Sequence, residues 1–146
     1  MSRMTIRKIA QLGHPILRET ARALTQEELA RPETQSFIDD LVETMRDANG
    51  AGLAATQIYV PWRMCAVEVK DNPRYPYKPN IPLTVFVNPE IRVLGDERFY
   101  IFEGCLSVPN LRVRVWRHAE IHLSWWDRHG KAHQAEYRGF TAGTLQ

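Results

Sequence analysis

Apolar positions between residues 37 and 45 recur on a helical period. Phe37, Ile38, Leu41, Val42 and Met45 fall at i, i+1, i+4, i+5 and i+8, one stripe on a 3.6-residue repeat. The spacing predicts a helix over residues 33–48 with Asp39, Asp40, Glu43 and Asp47 turned outward. Upstream, Thr25-Gln26-Glu27-Glu28 has the form of a capping box, and Pro32 suits a first helical turn, where its missing N–H costs nothing. Asn49-Gly50 supplies the stop, because both residues tolerate the left-handed conformation that closes a helix.

From about residue 63 the pattern changes to short runs rich in β-branched and aromatic residues. Strands are predicted at Met64–Val69, Thr84–Val87, Arg98–Phe102, Arg112–Trp116, Glu120–Trp126 and Ala132–Tyr137. Gly95-Asp96 and His129-Gly130 read as hairpin tips. The stretch 71–82, with four prolines, reads as a surface loop. A helix followed by many strands implies an α+β domain with a largely antiparallel sheet, and residues 1–146 are expected to form it as a single unit.

Composition narrows the function classes. The 146 residues are 44% apolar and 25% charged, as in one globular domain, and a formal charge of +2 from 19 basic and 17 acidic residues argues for no nucleic-acid or membrane partner. No apolar run approaches the length of a membrane span, and the N-terminus lacks a signal-peptide core, so a cytoplasmic protein is expected, or an organellar one whose import segment has been removed. Two cysteines make no disulfide framework. Cys65, in Met64-Cys65-Ala66-Val67, reads as a packed strand residue; Cys105, preceded by Gly104, is the candidate for chemistry.

Residues 103–107 read Glu-Gly-Cys-Leu-Ser, and residues 50–57 read Gly-Ala-Gly-Leu-Ala-Ala-Thr-Gln. Together they resemble the first two signature motifs of peptide deformylases, which remove the formyl group from the N-terminal methionine of new proteins. The resemblance runs from Gly13-His14-Pro15 to the strand pair around His129-Gly130 and implies antiparallel sheets around a central metal-binding helix. It implies a divalent metal, commonly ferrous iron with zinc or nickel accepted, held by Cys105 and by two histidines of a His-Glu-x-x-His helix. That third motif does not occur within residues 1–146; in the family it follows a stretch like Gly139 to Gln146. The central helix is therefore expected to be missing or truncated, and the 146-residue chain alone is expected to be inactive, because one thiolate does not hold a catalytic metal.

The same alignment implies roles for further residues. Gln57 donates to the developing oxyanion with the backbone N–H of Leu106, and a neutral amide suits that task because it brings no charge of its own. Gly52 presents backbone to an extended substrate, and Ala51, Ile101 and Phe102 line the methionine pocket. Glu103 orients the loop that carries Cys105 and Gly104 lets the backbone approach the metal closely, both on the substrate side of the site, and Arg112 borders the cleft, although a solvated strand charge explains that arginine nearly as well. The implied partners are formyl-methionyl N-termini of nascent peptides, met at the ribosome. A catalytically dead peptide-binding module of the same fold is the alternative.

Other constellations carry less. His118 and His122 lie four apart in a strand pattern, about 13 Å at about 3.3 Å per residue, too far for one ion. His14, His129 and His133 lack ligand spacing and read as surface residues. Arginines 112, 114, 117 and 128 interleave with Trp116, Trp125 and Trp126 as on a base-stacking platform, but the alternation turns many of these rings toward a core. Gly50-Ala51-Gly52 follows a helix and has no lysine to complete a phosphate loop.

Overall fold

The computed structural model describes residues 3–146. The stripe at residues 37–45 forms the main helix. The capping box closes around a separate short helix, α1 (Gln26–Ala30), in which Thr25 Oγ1 accepts the Glu28 N–H and Glu28 accepts the Thr25 N–H. Arg31 breaks the run and Pro32 restarts it as α2 (Pro32–Asp47), with Asn49 in the left-handed region at φ 54° after its end. All five apolar stripe residues are buried.

Asp40 does not face outward as the period predicts. It is 5% exposed, because residues 5–7 lie across α2 and bring it the Thr5 N–H at 2.8 Å and the Arg7 guanidinium at 2.8 and 2.9 Å. A carboxylate so paired is tolerated in a helix face that a helical wheel assigns to solvent.

Seven strands follow among the described residues: β1 (Gly52–Ala54), β2 (Met64–Val69), β3 (Ile81–Val93), β4 (Arg98–Cys105), β5 (Val108–His118), β6 (Glu120–Trp126) and β7 (Ala132–Arg138). They make a five-stranded sheet, order β1-β2-β3-β6-β7, and a separate two-stranded ribbon, β4-β5, with every ladder antiparallel. Alternation gives the larger sheet two covered faces. Met64, Ala66, Val85 and Val87 meet α2, whereas Val67, Phe86 and half-buried Cys65 face the other way, toward Ala51, Tyr75 and Leu145. The fold is α+β, and a short helix α3 (Gly139–Leu145) ends the described chain against the second face.

Two expectations change. The strand predicted at Thr84–Val87 extends to Ile81–Val93 and runs through Asn88-Pro89: Asn88 takes φ 50°, the register shifts between Val87 and Glu90, and the Asn88 amide bonds both the N–H and the carbonyl of Leu24 at 2.9 and 2.8 Å. Proline is tolerated at such a bulge because no ladder donor is needed there. Gly95 does turn the chain at φ 70°, but it is not a hairpin tip, since β3 pairs with β6 and β4 pairs with β5. His129-Gly130 is a hairpin tip, closed by the Gly130 N–H on Asp127 O at 3.0 Å.

Candidate active site

Cys105 ends β4 at the turn into β5, with its side chain exposed to an open cavity of about 420 Å³ between the ribbon, β1, β2 and the end of α3. Gln57 reaches the same point from a 3-10 turn (Ala55–Ile58) that follows β1, forty-eight residues upstream. Its amide has one orientation available. Oε1 accepts the Ala54 N–H at 2.9 Å, which leaves Nε2 to donate to Ser107 Oγ at 3.0 Å and to point at Cys105 Sγ at 3.6 Å. An N–H donor is thus fixed beside the sulfur by two partners that do not depend on it.

The turn is held from behind. Ser107 is 3% exposed and its carbonyl accepts the Leu12 N–H at 2.8 Å, while the Gln57 carbonyl accepts the Ala10 N–H at 2.7 Å. Leu106 lines the cavity and packs closely on Gly50, where an added Cβ would lie 2.7 Å from its Cδ1 and push the leucine end aside. Gly52 is exposed on β1, an edge strand of the five-stranded sheet, and is open on the side away from β2. An extended chain can pair there by strand addition.

Of the residues the sequence nominates, Ala51, Gly52, Gln57, Glu103, Gly104, Cys105 and Leu106 meet around this cavity. Glu103 is bound by Arg117 through two contacts, at 2.6 and 3.1 Å, which makes it a wall rather than a free base. Ile101 shares the Glu103 face of β4 but is buried at 4% exposure and is not a lining residue. Phe102, one position on, alternates to the opposite face and is 53% exposed. Arg112 lies across the ribbon from Gly104, and its guanidinium turns away to the Arg74 carbonyl and stands 4.8 Å from the centre of the Tyr75 ring. Neither Phe102 nor Arg112 reaches the cavity.

Sequence reasoning missed Ser107, Arg74, Tyr75 and Lys78. Ser107 closes the Glu-Gly-Cys-Leu-Ser motif and was legible there; the other three belong to an aperiodic, proline-rich loop that carries no such signal. Tyr75 is the loop's anchor, donating its hydroxyl to Gly104 O at 3.0 Å and accepting the Gly104 N–H at 3.2 Å.

The two cysteines differ in kind. Burial pushes the Cys65 thiol up to about 12, so it stays protonated and acts as a packing residue. The histidines gather no ligand set. His118 ends β5 in the ribbon and His122 lies in β6 of the main sheet, so they do not share one strand, and His122 Nε2 lies 3.2 Å from Gln134 Oε1. His133 is half-buried, stacked on Trp125 at 5.5 Å and bonded to Asp127 at 2.7 Å. Among the described residues no group of three or more His, Cys, Asp and Glu could hold a metal ion. Cys105 fits a soft divalent metal as one thiolate donor, and the described residues do not complete the set.

A family model described as polypeptide deformylase matches residues 6–146. The chain belongs to that family. It is 40% identical over 144 residues to a peptide deformylase of Leptospira biflexa, a match covering 98% of this chain and 80% of the relative. A chloroplastic peptide deformylase of Solanum lycopersicum is 34% identical over 147 residues, covering 94% of this chain and 53% of that protein. The fold matches a Met-Ala-Ser-bound class I type b peptide deformylase from Acinetobacter baumannii with a TM-score of 0.92 at 32% identity, covering 98% of this chain and 90% of that one. The family is one of metal-dependent enzymes that remove formyl groups in protein biosynthesis.

Proposed function

We propose that Gln57, Leu106 and Cys105 belong to a formyl-methionyl hydrolysis site. The observation behind it is the fixed Gln57 amide, whose N–H is directed at the Cys105 sulfur across forty-eight residues of sequence. In this reading Gln57 Nε2 and the Leu106 backbone N–H donate to the formyl oxygen as negative charge develops on it, the step at which preorganised donors act most strongly. The edge of β1 at Gly52 pairs with the peptide backbone. Ala51 bounds the methionine side chain, with Ile101 packed behind the wall; Glu103 and Gly104 hold the Cys105 turn, and Phe102 and Arg112 stabilise the ribbon from outside.

Cys105 supplies one donor to a divalent metal, for which ferrous iron is the leading candidate and zinc or nickel the others. When bound, such a metal supplies an activated water and polarises the formyl carbonyl. The substrate is the formylated methionine of nascent peptides, encountered at the ribosome. The compartment is the cytoplasm of a bacterium or phage-infected cell, with an organelle the alternative that the chloroplastic relative suggests.

The test is formate release from formyl-Met-Ala-Ser by the protein produced from its natural gene, loaded separately with ferrous iron, zinc and nickel. Release that is lost in Cys105→Ser supports the enzyme. Peptide binding without formate release under every metal would instead establish the binding module.

A further inference from the structure

The cavity beside Cys105 has a wall of net positive charge. Arg74 and Lys78, both half-buried, reach it from the loop between β2 and β3. Among the described residues neither is ion-paired. Among the described residues the one acidic side chain lining the cavity, Glu103, is bound by Arg117 at 2.6 Å. Three cations therefore face one acid.

Both free cations are held in place by the same ring: Lys78 Nζ lies 4.5 Å and the Arg74 guanidinium 5.5 Å from the centre of Tyr75. A ring face partly replaces an anion for a cation but leaves its remaining donors open. Burial disfavours the Lys78 charge and holds its amine below the usual lysine range, a cost that an incoming anion would offset.

We propose that Arg74 and Lys78 form an anion subsite that favours formyl-peptides carrying an acidic side chain one or two residues after the methionine. The proposal rests on the deformylase reading, since the subsite opens into the cavity that holds Cys105 and Gln57. Carboxylates bind such paired donors through charge-assisted hydrogen bonds, which are stronger than neutral ones in a partly desolvated cavity.

Two pairs of amidated peptides test it by calorimetry at low salt: formyl-Met-Glu-Ser against formyl-Met-Gln-Ser, and formyl-Met-Ala-Glu against formyl-Met-Ala-Gln. Within each pair the shape is held and one charge differs. At least one acidic peptide should bind about tenfold tighter than its amide twin, and the ratio should fall below about twofold in Lys78→Met and in Arg74→Gln. Lys78→Arg should keep the preference, and Lys131→Met, outside the cavity, should leave it unchanged. A ratio near one in both pairs, or one that survives both cavity variants, overturns the subsite.

Acetyl-capped versions separate the two readings. Equal binding of acetyl and formyl peptides with the acidic preference intact removes the deformylase reading and keeps the subsite. Formyl selectivity without acidic preference does the reverse, and no binding by any peptide refutes both.

Discussion

Gln57 makes side-chain contacts of two kinds, and replacing it by glutamate or by alanine should separate them. Oε1 accepts the Ala54 N–H and Nε2 donates to the buried Ser107 hydroxyl, so both bonds support the fold; the contact to Cys105 Sγ at 3.6 Å serves the site. In Gln57→Ala the Ser107 hydroxyl, on a residue 3% exposed, is left without its donor. Stranding one buried hydroxyl and losing a second, half-exposed bond should cost roughly 1–3 kcal/mol of stability. In Gln57→Glu the carboxylate still accepts from Ala54, and the Ser107 hydroxyl can rotate to donate to it, so the fold should lose less than about 1 kcal/mol. Its oxygen nevertheless replaces the N–H that faces Cys105 and the developing oxyanion. Turnover should fall about 10²- to 10³-fold, the usual loss when one oxyanion donor is removed. Urea unfolding measures the first effect, and formate release by the metal-loaded protein measures the second. Gln57→Glu turnover within threefold of the parent would refute the donor role whatever the alanine variant does.

Other consequences are open to direct measurement. With the Cys65 thiol pushed up to about 12, only about one part in 10⁴ is thiolate at pH 8, so in chelator-treated protein a thiol reagent should modify Cys105 rapidly and half-buried Cys65 far more slowly; mass mapping that finds Cys65 modified first would contradict that raised value. Glu28 is held down from 4.5 to about 2, chiefly by its hydrogen bond to Arg22 and then by the Thr25 N–H. Because the folded value is depressed, this carboxylate adds stability above pH 4.5 that is lost as pH falls toward about 2, and the urea midpoint of Glu28→Gln should vary less across that window than the parent's. Gly130 sits at φ +80°, where a Cβ would lie 2.1 Å from Gln26 Oε1. Gly130→Ala should therefore cost about 1–2 kcal/mol, with part of the loss absent in a Gln26→Ala background if the clash contributes.

What was legible in the sequence was what neighbours along the chain decide. The stripe Phe37 to Met45 set α2, and alternation set β2 and β6 to the residue, because each pattern needs only its own period. Features fixed by distant partners were hidden. Asp40 is buried by Arg7, and β3 continues past Pro89 because Leu24 satisfies the Asn88 bulge. The turn at Gly95 signals a reversal, but which strand each arm then pairs with is chosen by packing across the whole domain. The site follows the same division. Cys105 stood out beside Gly104, but its pairing with Gln57 came only from the family resemblance, since nothing local brings residue 57 to residue 105, and Arg74 and Lys78 lie in a loop without any period to read.

That loop has more to do with the site than its composition suggests. The β4-β5 ribbon shares no ladder with the five-stranded sheet, so strand pairing alone does not set where Cys105 sits relative to Gln57. Side chains and loops set it instead. Tyr75 closes a two-way bond on Gly104, Tyr77 donates its hydroxyl to Phe102 O at 2.6 Å, and Arg112 reaches back from β5 to the Arg74 carbonyl. On the other side, residues 10–12 bond the backbone of Gln57 and Ser107. The prolines that keep this loop out of regular structure also limit its backbone freedom, so the tyrosines reach the ribbon at a lower entropic cost. The position of Cys105 thus depends on two irregular segments on either side of a ribbon that shares no ladder with the main sheet. Substitutions in the loop can therefore shift the sulfur without disturbing a single strand of the main sheet.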